Sequence, residues 1–224
     1  ARIYAELENS NFVGVYDANL EKAAAIAEEF GTGAFSSLDE LIAEVDAASV
    51  STPTITHRDI ATQLLNSGKH VLVEKPISDS VDDAKVIIDL AHEKGLVLQV
   101  GHIERFNPVM SQLENCLDHP KFIECHRLSP FPQRSLDIGV VLDLMIHDLE
   151  IVLHLVNAPV ASLDAVGIPV LTRREDIANA RIRFEDGCVA NITASRISPE
   201  RMRKIRVFQS NAYLSLDYQD QSGW

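Results

Sequence analysis

The chain has 224 residues, 46% of them hydrophobic and 24% charged, with a formal net charge of −13. That is the balance of a globular protein with room for one large domain or two modest ones. So acidic a chain speaks against nucleic acid or an anionic membrane as partner, since both need a basic footprint. No apolar run approaches the ~20 residues of a membrane span, and no pair of n-region and h-region reads as a secretory signal.

From the start, Ala1 to Leu7 reads as the remainder of a helix. Continuous apolar runs follow at Phe12 to Tyr16, Ala47 to Val50, His70 to Val73 and Leu96 to Val100. Such runs suit parallel strands buried on both faces. Helical stretches lie between them. Ser37 with Glu40, Thr56 with Asp59 and Ser80 with Asp83 stand at capping-box spacing, and Gly68 and Gly95 stand where helices stop. Strands alternating with helices of this length predict an α/β, doubly wound parallel sheet with helices on both faces. Each strand of this half ends in polar or special residues: Asp17, then Ser51-Thr52-Pro53, then Glu74-Lys75-Pro76, then Gly101-His102. Open α/β sheets bind ligands outside those carboxyl ends, so this edge is the expected crevice.

After about Arg105 the pattern changes. Val140 to Val156 reads as one long helix, and strands are expected at Phe122 to Leu128, Ser162 to Val170, Ala178 to Phe184, Cys188 to Ala194, Ile205 to Phe208 and Tyr213 to Tyr218. Glu185-Asp186-Gly187 is a hairpin turn signal. The expectation is two domains, 1–104 and 105–224, the second an α+β domain with a mainly antiparallel open sheet. No G-x-G-x-x-G occurs, so the glycine-rich turn of a dinucleotide fold and the strand before it are expected to be missing. The end at Gly223-Trp224 likewise reads as lacking a closing element.

Cys116, Cys125 and Cys188 are too few and too irregular for a disulfide framework, which fits a reducing cytoplasm. Cys116, His119, Cys125 and His126 lack the tight pairing of a zinc site, and no metal is expected.

Three features carry chemistry. Asp17 can accept hydrogen bonds from adenosine ribose hydroxyls and repel a 2′-phosphate, favouring NAD over NADP, although an Asp there also reads as a helix cap. Glu74-Lys75-Pro76 places a charged pair at a buried strand's end, where Pro76 turns the chain out of the sheet. Lys75 there is either half of a surface ion pair or the group that orients a substrate hydroxyl. In the long helix, Asp143 and His147 stand at i and i+4 and share one face, with Asp148 about 100° further round. They read as a general base held by an acid, against the alternative of a satisfied core histidine.

Together, Ser51-Thr52-Pro53 with His57, Glu74-Lys75-Pro76, Val100-Gly101-His102 with Arg105-Phe106, and Asp143 with His147 resemble the Gfo/Idh/MocA family of NAD(P)-dependent sugar and cyclitol oxidoreductases. The resemblance implies a Rossmann domain followed by an α/β domain whose open sheet faces a partner subunit in a homodimer or homotetramer. It implies Lys75, Asp143 and His147 as catalytic residues. Asp17, Ser51, Thr52, Pro53, His57, Glu74, Lys75 and His102 would meet NAD, and Lys75, Arg105, Arg127 and His147 would meet the substrate. His126-Arg127-Leu128-Ser129-Pro130-Phe131-Pro132 followed by Asp137-Ile138-Gly139 looks like the nucleotide-sugar branch, whose substrate would be a sugar such as UDP-N-acetylglucosamine. Arg201, Arg203, Lys204 and Arg206, with Arg127 and Arg134, could then meet a diphosphate, or form a solvated strand face. In the implied reaction a secondary alcohol loses hydride to the nicotinamide, His147 takes the hydroxyl proton and Lys75 polarises the oxygen. The alternatives are a dehydrogenase of a free monosaccharide or inositol, and a non-catalytic cofactor-sensing module of the same fold.

Overall fold

A computed structural model describes residues 1–131 and 138–224. The chain divides into two compact units, Ala1–Val100 and Gly101–Trp224. The break falls at the end of a strand, a few residues before Arg105.

The first unit runs α1 (Arg2–Glu6), β1 (Gly14–Val15), α2 (Leu20–Phe30), β2 (Gly33–Ala34), α3 (Leu38–Glu44), β3 (Ala47–Val50), α4 (His57–Asn66), β4 (His70–Val73), α5 (Val81–Lys94) and β5 (Leu98–Val100). All its strand pairs are parallel, β1 with β2 and, separately, β3-β4-β5 in that order. Its core joins Val50, Val71 and Val73 of the sheet to Ile42, Ala61, Leu64, Leu65, Ile87 and Ala91 of the helices. Fully burying each Leu, Ile or Val contributes about 1.5–3 kcal/mol. Ser37 and Ser80 cap α3 and α5 by accepting from the amides of Glu40 and Asp83. Thr56 does not cap α4. Its hydroxyl is drawn to Thr52 Oγ1 and the Pro53 carbonyl, because a 3₁₀ turn, Thr54–Thr56, leads into the helix. Gly95 closes α5 at φ +62°, the left-handed conformation that glycine adopts without strain.

The second unit opens with a 3₁₀ turn, Ile103–Phe106, then α6 (Pro108–Cys116) and β6 (Phe122–Leu128). The expected long helix is present from Val141, but its first five residues, Val141–Met145, form a π-helical turn. The Ile146 amide there reaches back to the Val141 carbonyl before α7 (Ile146–Val156) continues. Apolar periodicity cannot distinguish that wider turn from an α-helix. Strands β7 (Val160–Ile168), β8 (Ile177–Phe184), β9 (Val189–Ser195), β10 (Met202–Phe208), β11 (Tyr213–Asp217) and β12 (Ser222–Gly223) complete one sheet with β6, ordered β12-β11-β10-β6-β9-β8-β7. Every pair is antiparallel except β6 with β9. β8 alternates exposed and buried residues along its whole length. The buried face of the sheet, including Ile123, Cys125, Ala180, Ile182, Ile192 and Ile205, packs with Val109, Met110 and Leu113 of α6 and Ile151, Val152 and Leu155 of α7. The other face is left open, the arrangement expected of a half-covered antiparallel sheet.

Candidate functional site

In the first unit the polar groups follow the carboxyl ends of the parallel strands. Beyond β1, Asp17 is exposed and its Oδ1 accepts from the Asn19 amide at 2.8 Å. Asn19, not Asp17, caps α2, accepting from the amides of Glu21 and Lys22. Beyond β3, Ser51, Thr52 and Pro53 are exposed. Beyond β4, Glu74 and Lys75 are half-buried, the Glu74 amide donates to the Val50 carbonyl at 3.0 Å, and the Lys75–Pro76 peptide is cis. An exposed carboxylate and exposed hydroxyls at such strand ends fit the ribose and polar edges of a dinucleotide.

His57, expected to line the cofactor, is placed differently from the exposed residues at the strand ends. It is the first residue of α4 and only 1% exposed. Its Nδ1 lies 2.9 Å from the Pro76 carbonyl oxygen and its Nε2 2.9 Å from that of Thr52. Both ring nitrogens face backbone carbonyl oxygens.

In the second unit, Asp143 lies in the π-helical turn and His147 in the first turn of α7, both half-buried. The entry to this segment is braced from below. The Val140 amide donates to the Glu175 carbonyl at 2.9 Å, and Arg196 Nη1 donates to the Ile138 carbonyl at 2.8 Å. Arg196 Nε in turn donates to Asp176 Oδ1 at 2.9 Å, both side chains being fully buried. Asp176 Oδ2 accepts from the amides of Val170, Leu171 and Thr172. Burial pushes the Asp176 carboxyl up, but these amides and the Arg196 guanidinium outweigh it and hold the group well below the usual carboxylate range.

A second buried network involves Arg127, which the sequence offered as a substrate ligand. Its guanidinium is 3% exposed and grips Asp148 with two bonds of 2.9 Å, while Nη1 donates to Glu104 at 2.9 Å. The Tyr218 ring lies 5.8 Å from its Cζ, within cation–π range. Burial pulls the Arg127 proton affinity down, and the two carboxylates more than reverse this. Burial pushes the Asp148 carboxyl up in spite of Arg127. Arg127 is therefore held inside the fold by Asp148 and Glu104. Alternation along β6 carried the signal, for Ile123, Cys125 and Arg127 share the buried face. Arg105 is half-exposed and paired with Glu150 of α7, and His102 is half-buried just after β5. Lys204 and Arg206 pair with Asp217 and Glu124 across neighbouring strands. Pro132, Arg134 and Asp137 lie outside the described residues. The half-buried Glu104 and the buried Asp148, Asp176 and Arg196 were not singled out from sequence as supports, although Asp148 was noted beside His147.

Comparison with known proteins gives concordant results. A family described as "Oxidoreductase family, NAD-binding Rossmann fold" matches residues 1–102, and the "GFO/IDH/MocA C-terminal domain" matches residues 114–215. UDP-N-acetylglucosamine 3-dehydrogenase of Acidithiobacillus ferrooxidans is 42% identical over 219 residues, covering 97% of this chain and 69% of that protein. A solved structure of that organism's UDP-N-acetylglucosamine 3-dehydrogenase GnnA superposes with a TM-score of 0.94 at 41% identity, covering 100% of this chain and 73% of the other. The scyllo-inositol 2-dehydrogenase (NAD(+)) of Bacillus subtilis is 26% identical, covering 88% of this chain and 63% of that protein.

Proposed function

The chain belongs to the Gfo/Idh/MocA family of oxidoreductases, and from that premise we propose that it serves to oxidise a secondary hydroxyl of a nucleotide sugar such as UDP-N-acetylglucosamine. The observation that carries the substrate is 42% identity, over 97% of this chain, to an enzyme named for that reaction. NAD, when bound, accepts the hydride from the alcohol carbon. Asp17 receives the adenosine ribose, and Ser51, Thr52, Pro53, Glu74 and His102 are the remaining cofactor contacts in this reading. Lys75 polarises the reacting oxygen, His147 takes its proton, and Asp143 orients the imidazole. Arg105, half-exposed beside Glu150, is the remaining candidate for the substrate's polar groups.

The open face of the second unit's sheet is proposed as the contact of a homodimer or homotetramer. Val166 and Ile168 of β7 and Ile177 of β8 are exposed there, apolar surface that a partner subunit would cover. The proposed compartment is the cytoplasm, in keeping with three free cysteines, two of them buried. Among the described residues no helix is long and apolar enough to cross a membrane.

A second reading, oxidation of a free sugar or inositol, draws on the 26% identity to the inositol enzyme. The deciding experiment offers the full-length protein NAD with UDP-N-acetylglucosamine, free N-acetylglucosamine or scyllo-inositol and follows reduced-nicotinamide absorbance. Turnover of the UDP-sugar alone is expected. Turnover confined to the free sugar or cyclitol would give the second reading precedence.

A further inference from the structure

We propose that His57 is the positioning residue for Lys75, a side-chain rung that takes over where the sheet's backbone ladder stops. β3 and β4 pair in parallel as far as Val50 opposite Val73, and the Glu74 amide still reaches the Val50 carbonyl at 3.0 Å. Past that point Pro53 and Pro76 carry no N–H, so backbone pairing has few donors left with which to continue. The two turns would then leave the sheet side by side with the Thr52 and Pro76 carbonyls pointing at nothing. The His57 ring lies between them, 2.9 Å from each oxygen. One N–H serves either carbonyl, and a doubly protonated ring serves both.

The rung is mounted rigidly. His57 starts α4, whose Ala61, Leu64 and Leu65 are at most 1% exposed in the core. On the other side, the Thr56 hydroxyl ties Thr52 Oγ1 and the Pro53 carbonyl into the same turn at 2.8 Å each. At 1% exposure, the ring itself is closed off from solvent. Pro76 is the next residue after Lys75, so whatever fixes its carbonyl fixes the root of the lysine side chain. His57 thus acts through the lysine and touches neither substrate nor cofactor. The inference rests on the catalytic reading of Lys75.

The test compares full-length wild type, His57→Ala, His57→Gln, Lys75→Ala and the double variant His57→Ala/Lys75→Ala, using NAD and UDP-N-acetylglucosamine. Losing the rung should lower kcat roughly 10- to 100-fold, the cost of misplacing a reacting group by about 1 Å. It should lower kcat no further once Lys75 is already Ala, because the two residues act through one path. His57→Gln retains one donor and should recover part of the loss. Independently of any substrate, amide exchange in peptides covering residues 51–56 and 74–80 should accelerate in His57→Ala while the rest of α4 keeps its protection. If His57→Ala does not fold, His57→Gln carries the same comparison. An equal kcat loss in both backgrounds, or unchanged exchange in the two turns, overturns the proposal. Full activity of Lys75→Ala would instead sink the catalytic reading, and the exchange data would still decide whether His57 holds the turns.

Discussion

In residues 1–100 the groups proposed to meet ligand sit on turns at strand ends, and Asp17, Ser51 and Thr52 are exposed to water. Three ion pairs of that unit, Arg2 with Glu6 and Arg58 with Asp59 and with Asp83, lie on the surface, where such pairs contribute little. In residues 101–224 the half-buried Asp143 and His147 stand in a unit that encloses two ion pairs, Arg196–Asp176 at 0% exposure and Arg127–Asp148 at 3% and 2%. A cofactor-binding edge must offer solvated donors and acceptors that a mobile ligand can take over. A base that moves a proton needs a fixed orientation, and buried, fully satisfied charges fix orientation because breaking them is costly. The two units divide these demands between them.

The largest effects should come from the groups proposed as catalytic. Lys75→Ala and His147→Ala in the full-length protein should each lower kcat by roughly 10²- to 10⁴-fold, the range for general acid–base groups. Asp143→Asn should fall between these and wild type, since it keeps the shape and weakens the support of the imidazole. NAD affinity by calorimetry should be nearly unchanged in His147→Ala. A loss of activity merely proportional to lost folded protein would return His147 to an ordinary core residue.

Next in size is stability. Asp176→Ala leaves Arg196 buried without its carboxylate and should cost about 3–5 kcal/mol in denaturant unfolding. Asp59→Ala, on the surface of the first unit, should cost no more than about 1 kcal/mol. Similar costs at both positions would erase the contrast.

The two buried acids also predict opposite responses to pH. Asp176 has a depressed carboxyl, so its contribution is present above the unfolded value of about 4 and is lost as pH falls through the folded value. Asp148 is raised, so ionising it is a cost that sets in as pH climbs above about 4. The wild-type stability margin over Asp176→Asn should therefore shrink on acidification below about pH 4, while the margin over Asp148→Asn should widen as pH is lowered toward about 4 from above and then level off. Parallel curves would contradict this assignment. Smallest of all, Asp17→Ser should narrow the NAD/NADP ratio of kcat/KM by several-fold. An unchanged ratio would leave Asp17 only its bond to the Asn19 amide.

Much of this was legible along the chain. β3, β4 and β6 run between the residues their patterns mark, because short runs of strand character bounded by turn residues leave little choice. β2 was missed, since the two residues Gly33 and Ala34 carry no strand signature. The surroundings of His57 and Arg127 were not legible for a different reason. Their partners lie 19 and 21 residues away, Pro76 and Asp148, and no local pattern reports which distant carbonyl or carboxylate a side chain will find. Exposure and pairing are properties of the folded chain, whereas strand ends and helix faces are properties of short windows.

The wide turn at Val141–Met145 changes what kind of mutation this region can tolerate. Such a turn holds one residue more than the α-helix it interrupts, so its geometry is stored in the length of the chain. Removing a single residue between Asp143 and His147 would let the turn close to ordinary α-helical pitch and shorten their spacing from four residues to three. Both side chains would survive, in a changed relative position. At this place an insertion or deletion is a sharper tool than any substitution, and natural variation in loop-like tolerance should stop short of these five positions.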